Sequence, residues 1–199
     1  MTKRIQSKYS VCKKLHNFYK NLWGLKTKDN YRSLKQKKKK RITSFGKILN
    51  IKQSFKLFYS NINESSFKNI IMYSIKSRSK TLDKLVSILE SRIDSLLFRS
   101  CLVTSFHEAR LLIIHKHVTV NNLCIKSPNL CLTKGDVIKI NNYLLKKDFF
   151  FNVLNSRSLP NYLELDFKNL AFVFLWDPNF RNAYYPVNVD YTKIIRYYR

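Results

Sequence analysis

The run Lys35-Gln36-Lys37-Lys38-Lys39-Lys40-Arg41 sets six cations in seven positions. Such a density suits phosphate. RNA repeats one charge per nucleotide, and each phosphate neutralised by a Lys or Arg releases counterions. Lys13, Lys14 and Arg32 extend the row upstream. A sparser set, Arg99, Arg110, His115 and Lys116, lies among apolar residues, which is the pattern of cations presented by a folded basic domain. Phosphate contacts position a protein without reading sequence. Specificity on RNA comes from shape, splayed bases and aromatic stacking. Trp23, Tyr31, Phe45, Phe55, Phe58 and Tyr59 flank the basic run on both sides, and a tail that never folds has no use for them.

Other chemistries find little support. Cys12 and His16 form half of a possible zinc site, but the chain has no Cys-x-x-Cys pair. Cys101, Cys124 and Cys131 fall on apolar faces, so buried free thiols and no metal are expected. No Ser-His-Asp order and no H-E-x-x-H motif stands out, and three glycines in all leave no phosphate loop. No enzyme activity and no cofactor are expected. The longest apolar runs, 111–114 and 171–176, fall far short of the roughly 18 residues that span a bilayer, so no membrane partner is expected.

The cations are unevenly placed. The chain carries 38 Lys+Arg against 12 Asp+Glu, a formal net charge of +26. Residues 1–80 hold 22 basic and 2 acidic residues, 81–155 hold 10 and 6, and 156–199 hold 6 and 4. A protein indifferent to polyanions is excluded. At 45% hydrophobic residues the chain is also too apolar to be wholly disordered. The expected organisation is a basic, mostly helical region at 1–80 whose short helices order on RNA, a compact RNA-binding domain at 81–150, and a tail at 151–199. Scarce Ala and Gly beside abundant Lys, Asn, Ile, Phe and Tyr indicate an A/T-biased gene, as in an organellar or parasite genome.

The elements that position these cations follow from periodicity. Leu82, Leu85, Val86, Leu89, Ile93, Leu96 and Leu97 recur at helical spacing over 81–100, with no Gly or Pro. Ser105 and Glu108 form a capping box, so a second helix starts there and runs to about His115. The period then switches to two at Val118 and Val120, Asn121-Asn122 suits a hairpin turn, and Leu123 to Ile125 is the return strand. Thr133 to Asp136 reads as a turn and Val137 to Ile140 as a strand. Leu163, Leu165 and Phe167 alternate with acids, 171–176 is another strand, and 192–199 a closing helix. The fold class is α+β: a basic helical region, two helices on a small curled sheet, and a short β/α tail.

Leu85, Leu89, Glu90, Arg92, Ile93, Asp94 and Arg99, then Glu108, Ala109, Arg110, Leu112, Ile113, His115, Val118, Val120 and Asn121, then Gly135 to Ile138, match a family pattern without a gap. This segment resembles the RNA-binding S-four domain. The flanks at 8–24, at Phe45-Gly46 and at 160–166 extend the resemblance to the small-subunit ribosomal protein S-four family. The resemblance departs at Phe106, where the family has a basic residue, and at Cys101 and Asn122, where it has Gly. It implies a structural, non-enzymatic subunit protein and assembly factor on the 5′ domain of small-subunit rRNA, near the mRNA entrance and so with mRNA as a further partner. The implied neighbours are ribosomal proteins S-five, S-three and S-twelve, with an indirect effect on decoding accuracy. The compact chain and its 173–178 segment resemble a mitochondrial member, with a plastid-type organelle as second choice. The alternative is a free S-four-domain RNA chaperone or ribosome-rescue factor. Glu90, Arg92, Asp94, Glu108, Asn121 and Asp136 are expected to hold the domain together, because a carboxylate cannot face phosphate cheaply. For Arg110, a salt bridge to Asp94 or Glu108 competes with an rRNA contact.

Overall fold

A computed structural model describes residues 43–103, 105–141, 158–183 and 190–199. Its helices are α1 (Ser44–Phe58), α2 (Glu64–Lys76), α3 (Thr81–Glu90), α4 (Ile93–Arg99), α5 (Phe106–Ile114) and α6 (Tyr191–Tyr198). Its strands are β1 (Val118–Val120), β2 (Leu123–Cys124), β3 (Val137–Ile140), β4 (Leu163–Asp166) and β5 (Ala171–Phe174). The basic row Lys13, Lys14, Arg32, Lys35, Lys37 to Lys40 and Arg41 lies outside the described residues, as does the Cys12–His16 half-site. The described chain divides into two compact units, 43–68 with 190–199, and 69–183.

In the first unit α1 starts at Thr43, whose hydroxyl accepts the Gly46 amide at 3.1 Å, which is ordinary N-cap chemistry. Phe55, Phe58 and Tyr59 are buried, with Phe67 and Tyr191. The Phe55 ring meets Tyr59 at 5.2 Å, Tyr191 at 5.3 Å and Phe67 at 6.0 Å between centroids. These aromatics of the basic segment therefore form a core rather than an RNA-facing row, and Phe45 alone among them is exposed within the described residues. Glu64 accepts from Lys52 at 2.9 Å and also from Lys56 and Tyr198. Burial alone would raise the Glu64 carboxyl, but those three donors outweigh it and hold the pKa at about 2.

The second unit corrects the first helix expected from the sequence. Residues 81–99 form two helices, not one. At the break Arg92 is extended (φ −67°, ψ 140°). The Ile93 amide donates to Leu130 O at 2.9 Å, and the Leu132 amide to Ser91 O at 2.8 Å. Arg92 thereby bridges Cys131 like a strand residue. A tertiary partner has taken hydrogen bonds that a continuous helix would use, and no Gly or Pro signals it.

The sheet has the order β2-β1-β3-β5-β4 and every pairing is antiparallel. Val120 opposes Ile138, Ile138 opposes Phe172, and Leu163 opposes Phe174. Asn121 and Asn122 turn the β1–β2 hairpin with φ of 49° and 66°, as expected of a two-residue loop. β2 ends at Cys124, one residue short of expectation, and is exposed. The strands of the tail thus continue the domain's own sheet, and α6 belongs to the first unit, so the compact units do not divide at 80/81 and 150/151. The α+β class stands. Among the described residues no helix is long and apolar enough to cross a membrane.

The departures from the family pattern have local explanations. Cys101 and Asn122 have φ of 61° and 66°, the left-handed region in which Gly is unstrained. Phe106 is buried and stacks on Phe98 with centroids 4.2 Å apart, so that position has joined the core. The thiols need correction. Cys101 is buried, but Cys124 and Cys131 are exposed, because β2 is a short edge strand and Cys131 lies just ahead of the buried Leu132.

Glu64 has a folded pKa near 2 against an ordinary 4.5. Its ion pairs therefore stabilise the first unit fully above pH 4.5, and that contribution is lost as pH falls toward 2. Because Glu64 is half-exposed, the contribution is screened to no more than about 1 kcal/mol. Circular dichroism of acid unfolding should show this slope, and E64Q should flatten it.

Candidate nucleic-acid interface

Helix α5 begins where the capping box was read: Ser105 Oγ accepts the Glu108 amide at 3.2 Å. Phe106, Ala109, Leu112 and Ile113 are buried. His107, Leu111 and Ile114 are exposed, and Arg110 is half-buried. The helix ends in paired bonds, His117 N to Leu112 O at 2.9 Å and Lys116 N to Ile113 O at 3.0 Å. This is the helix stop that places its penultimate donor in the left-handed region and favours Gly there. Here that residue is Lys116, with φ 62°. His115 and Lys116 are both exposed, and the His115 and His117 rings lie 6.2 Å apart. Partial desolvation by its neighbours, and then the Arg110 charge, lower the pKa of His107, so its neutral form is favoured.

Behind these residues lie two buried carboxylates. Glu90 is 0% and Asp94 1% exposed. Arg99 grips Glu90 with Nε at 2.9 Å and Nη2 at 2.8 Å. The Tyr162 hydroxyl donates to Glu90 Oε2 at 3.1 Å. Burial first, and then the Glu90 charge, push the Tyr162 hydroxyl pKa up. Arg92 grips Asp94 at 3.1 and 2.8 Å and donates to Asn129 Oδ1 at 2.7 Å. Arg110 Nε donates to Asp94 Oδ2 at 3.0 Å. A third cluster pins the hairpin. Asn121 donates to Asp136 at 2.9 Å and accepts from the Val137 amide at 3.0 Å. The Asp136 Oδ2 accepts the Thr133 amide at 2.7 Å and its hydroxyl at 3.0 Å. Burial would raise the Asp136 carboxyl, yet these donors lower it.

The sparse cation set thus separates. Arg110, His115 and Lys116 share the outer side and C-terminal end of α5. Arg99 does not join them, since its side chain is 10% exposed and committed to Glu90. Arg110 makes the Asp94 bridge that competed with an rRNA contact, and keeps 22% exposure. The α5 face between these cations carries Leu111 and Ile114, both more than half exposed, which charge counting did not suggest. Sequence reasoning also missed Asn129 and Tyr162 as partners of the motif ions. They lie 37 and 72 residues from their partners, and no spacing rule links them. Among the described residues no group of three His, Cys, Asp or Glu is placed to hold a metal.

Replacing Asp94 separates structure from binding. D94N leaves Arg92 and Arg110 facing a neutral amide in a buried site, so it should cost about 3–5 kcal/mol in urea unfolding. Because D94N also frees Arg110, the salt dependence of RNA binding by the remaining folded protein should not become shallower.

Comparison with known proteins agrees with this architecture. The S4 domain family model matches residues 91–138, which run from the α3–α4 break to β3. The small ribosomal subunit protein uS4 of Pelagibacter ubique is 33% identical over 206 aligned residues, covering 100% of this chain and 99% of that one. The uS4 of Maricaulis maris is 30% identical with the same coverage. The small ribosomal subunit protein uS4m of Reclinomonas americana is 34% identical over 156 residues, which cover 74% of this chain and 62% of that longer protein. With its S4 domain in the expected place and its whole length aligned to bacterial relatives, the chain belongs to the small ribosomal subunit protein uS4 family.

Proposed function

We propose that the chain is a structural, rRNA-binding component of the small ribosomal subunit. The observation that carries this reading is the alignment of the full chain, not the S4 domain alone, with 99% of bacterial uS4 proteins. A free RNA chaperone or rescue factor would need only the domain. The chain is not an enzyme, since its family is one of ribosomal proteins. Its partner is small-subunit rRNA, in the 5′ domain. The basic row from Lys13 to Arg41 supplies most of the phosphate contacts, and Arg110, His115 and Lys116 add a second, smaller patch at the end of α5. Arg99 acts through Glu90 as a positioning residue. The ribosome is of organelle type, mitochondrial first. The A/T-biased composition and the similarity to uS4m of Reclinomonas americana support this. Its neighbours there are S-three, S-five and S-twelve, beside the mRNA entrance.

Sedimentation of an organelle lysate, followed by a high-salt wash, tests the reading. The chain should stay with the small subunit through the wash; recovery only in free fractions would overturn it. Lys116 gives a finer test because its two roles have opposite signs. K116G relieves the left-handed backbone and should stabilise the fold by about 1 kcal/mol. It should also weaken rRNA binding and reduce the salt slope by about 1. Thermal melts and filter binding at several salt concentrations would show both.

A further inference from the structure

Residues 159–183 depart from the charge of the chain around them. They hold Lys168 and Arg181 against Glu164, Asp166 and Asp177, a net charge of 2 − 3 = −1 in a chain of +26. The 175–182 loop that leaves β5 is also aromatic at its surface: Trp176 is 42% and Phe180 38% exposed. Four residues of chain separate the two, so they lie no more than about 14 Å apart along the backbone.

The loop is pinned at several points. The Leu175 amide donates to Tyr162 O at 3.0 Å, and the Phe180 amide to Asp83 Oδ1 of α3 at 3.0 Å. The Asn182 amide donates to Asn179 O at 3.0 Å and closes a turn. Pro178 and Ala183 are buried. This backbone holds Trp176 partly in water, although covering an indole is favourable. Asp177 follows Trp176 in the chain. Its carboxylate meets Lys134 Nζ at 3.6 Å, with both side chains about half exposed, and such a bridge contributes little in water.

This composition suits protein better than RNA. Arg181 is the loop's single cation, where the basic row offers six in seven positions, and a strand stacked on Trp176 would bring its phosphates toward Asp177. A guanidinium meets the complement. The indole face attracts it, and the neighbouring carboxylate accepts its N–H groups. Aromatic residues at a patch of low net charge are also what protein interfaces favour at their centres.

We propose that the 175–182 loop is a protein-docking surface, which takes an arginine-bearing segment of another subunit protein with the guanidinium on Trp176 and Asp177. This rests on the ribosomal reading above, and adds to it a surface outside the S4 domain that rRNA does not cover.

Benzoylphenylalanine in place of Trp176, in the full-length chain assembled into small subunits, tests the surface. Irradiation should join position 176 to one protein, at a mapped peptide with Arg within a few residues of the link. A link to rRNA, to a second copy or to this chain's own residues overturns the proposal, as does a peptide without Arg or no link at all. The contact should then depend on both groups. In the complex of the purified chain with the linked protein, W176L and D177N should each weaken binding roughly 2- to 30-fold, and W176F less. D177N disturbs no packed ring, so native urea unfolding with lost affinity in D177N supports the proposal even where W176L unfolds early. Native affinity in D177N overturns it. Failure of the ribosomal reading would appear separately, as wild-type protein absent from the subunit in the sedimentation experiment.

Discussion

Two carboxylates four residues apart, Glu90 and Asp94, are out of water, and the second unit is arranged around that constraint. A buried carboxylate costs several kcal/mol of desolvation unless it is paired and hydrogen-bonded. The partners come from different elements: Arg92 at the α3–α4 break, Arg99 at the end of α4, Arg110 on α5, and Tyr162 just ahead of β4. Such pairs add little net stability over an apolar core of the same shape. They fix which elements meet, since a wrong pairing leaves a bare charge inside. The bond from Tyr162 ties the tail to the domain across 72 residues, and so helps place β4 and β5 on the sheet edge beside β3.

The same constraint divides the cations into two classes. Arg92 and Arg99 are spent on carboxylates and nearly buried, at 4% and 10% exposure. His115 and Lys116 are exposed past the end of α5. Arg110 stands between, its Nε on Asp94 and part of its side chain in solvent. A charge count ranks these residues equally; their carboxylate partners separate them. The exposed members sit at a helix C-terminus, where cations are also favoured by the helix dipole.

Glycine scarcity shapes the backbone. Among the described residues Ser60, Asn61, Cys101, Lys116, Asn121, Asn122 and Leu170 all adopt positive φ, beside Gly135. Asn tolerates that region because its side chain can hydrogen-bond locally. The Asn121 amide does so with Asp136 and the Val137 backbone. The Cys101 thiol donates to Arg99 O at 3.6 Å, and Cys101 and Lys116 hold the conformation because the turns after α4 and α5 require it. A chain drawn from a glycine-poor composition keeps the family's turns and accepts a cost of about 1 kcal/mol at each strained position.

The sequence alone determined the elements whose signals are local. The Ser105 cap, the Asn-Asn hairpin, β1, β3, β4 and β5, and the closing helix α6 were legible because caps, turns and two-residue alternation act over a few residues. Glu90 and Asp94 pair with Arg side chains, as carboxylates on so basic a chain invite, whereas Asp136 is held by the neutral donors Asn121 and Thr133. Tertiary structure decided the rest. It broke 81–99 at Arg92 by offering residues 130–132 as a strand partner. It merged the tail strands into the domain's sheet, buried three aromatics of the basic segment, and left Phe45 outside. It committed Arg99 to Glu90 and so took it out of the exposed cation set. Each of these outcomes turns on a contact between residues distant in the chain. Hydrogen-bond partners and ion pairs compete there across loops, and no local period records which one wins.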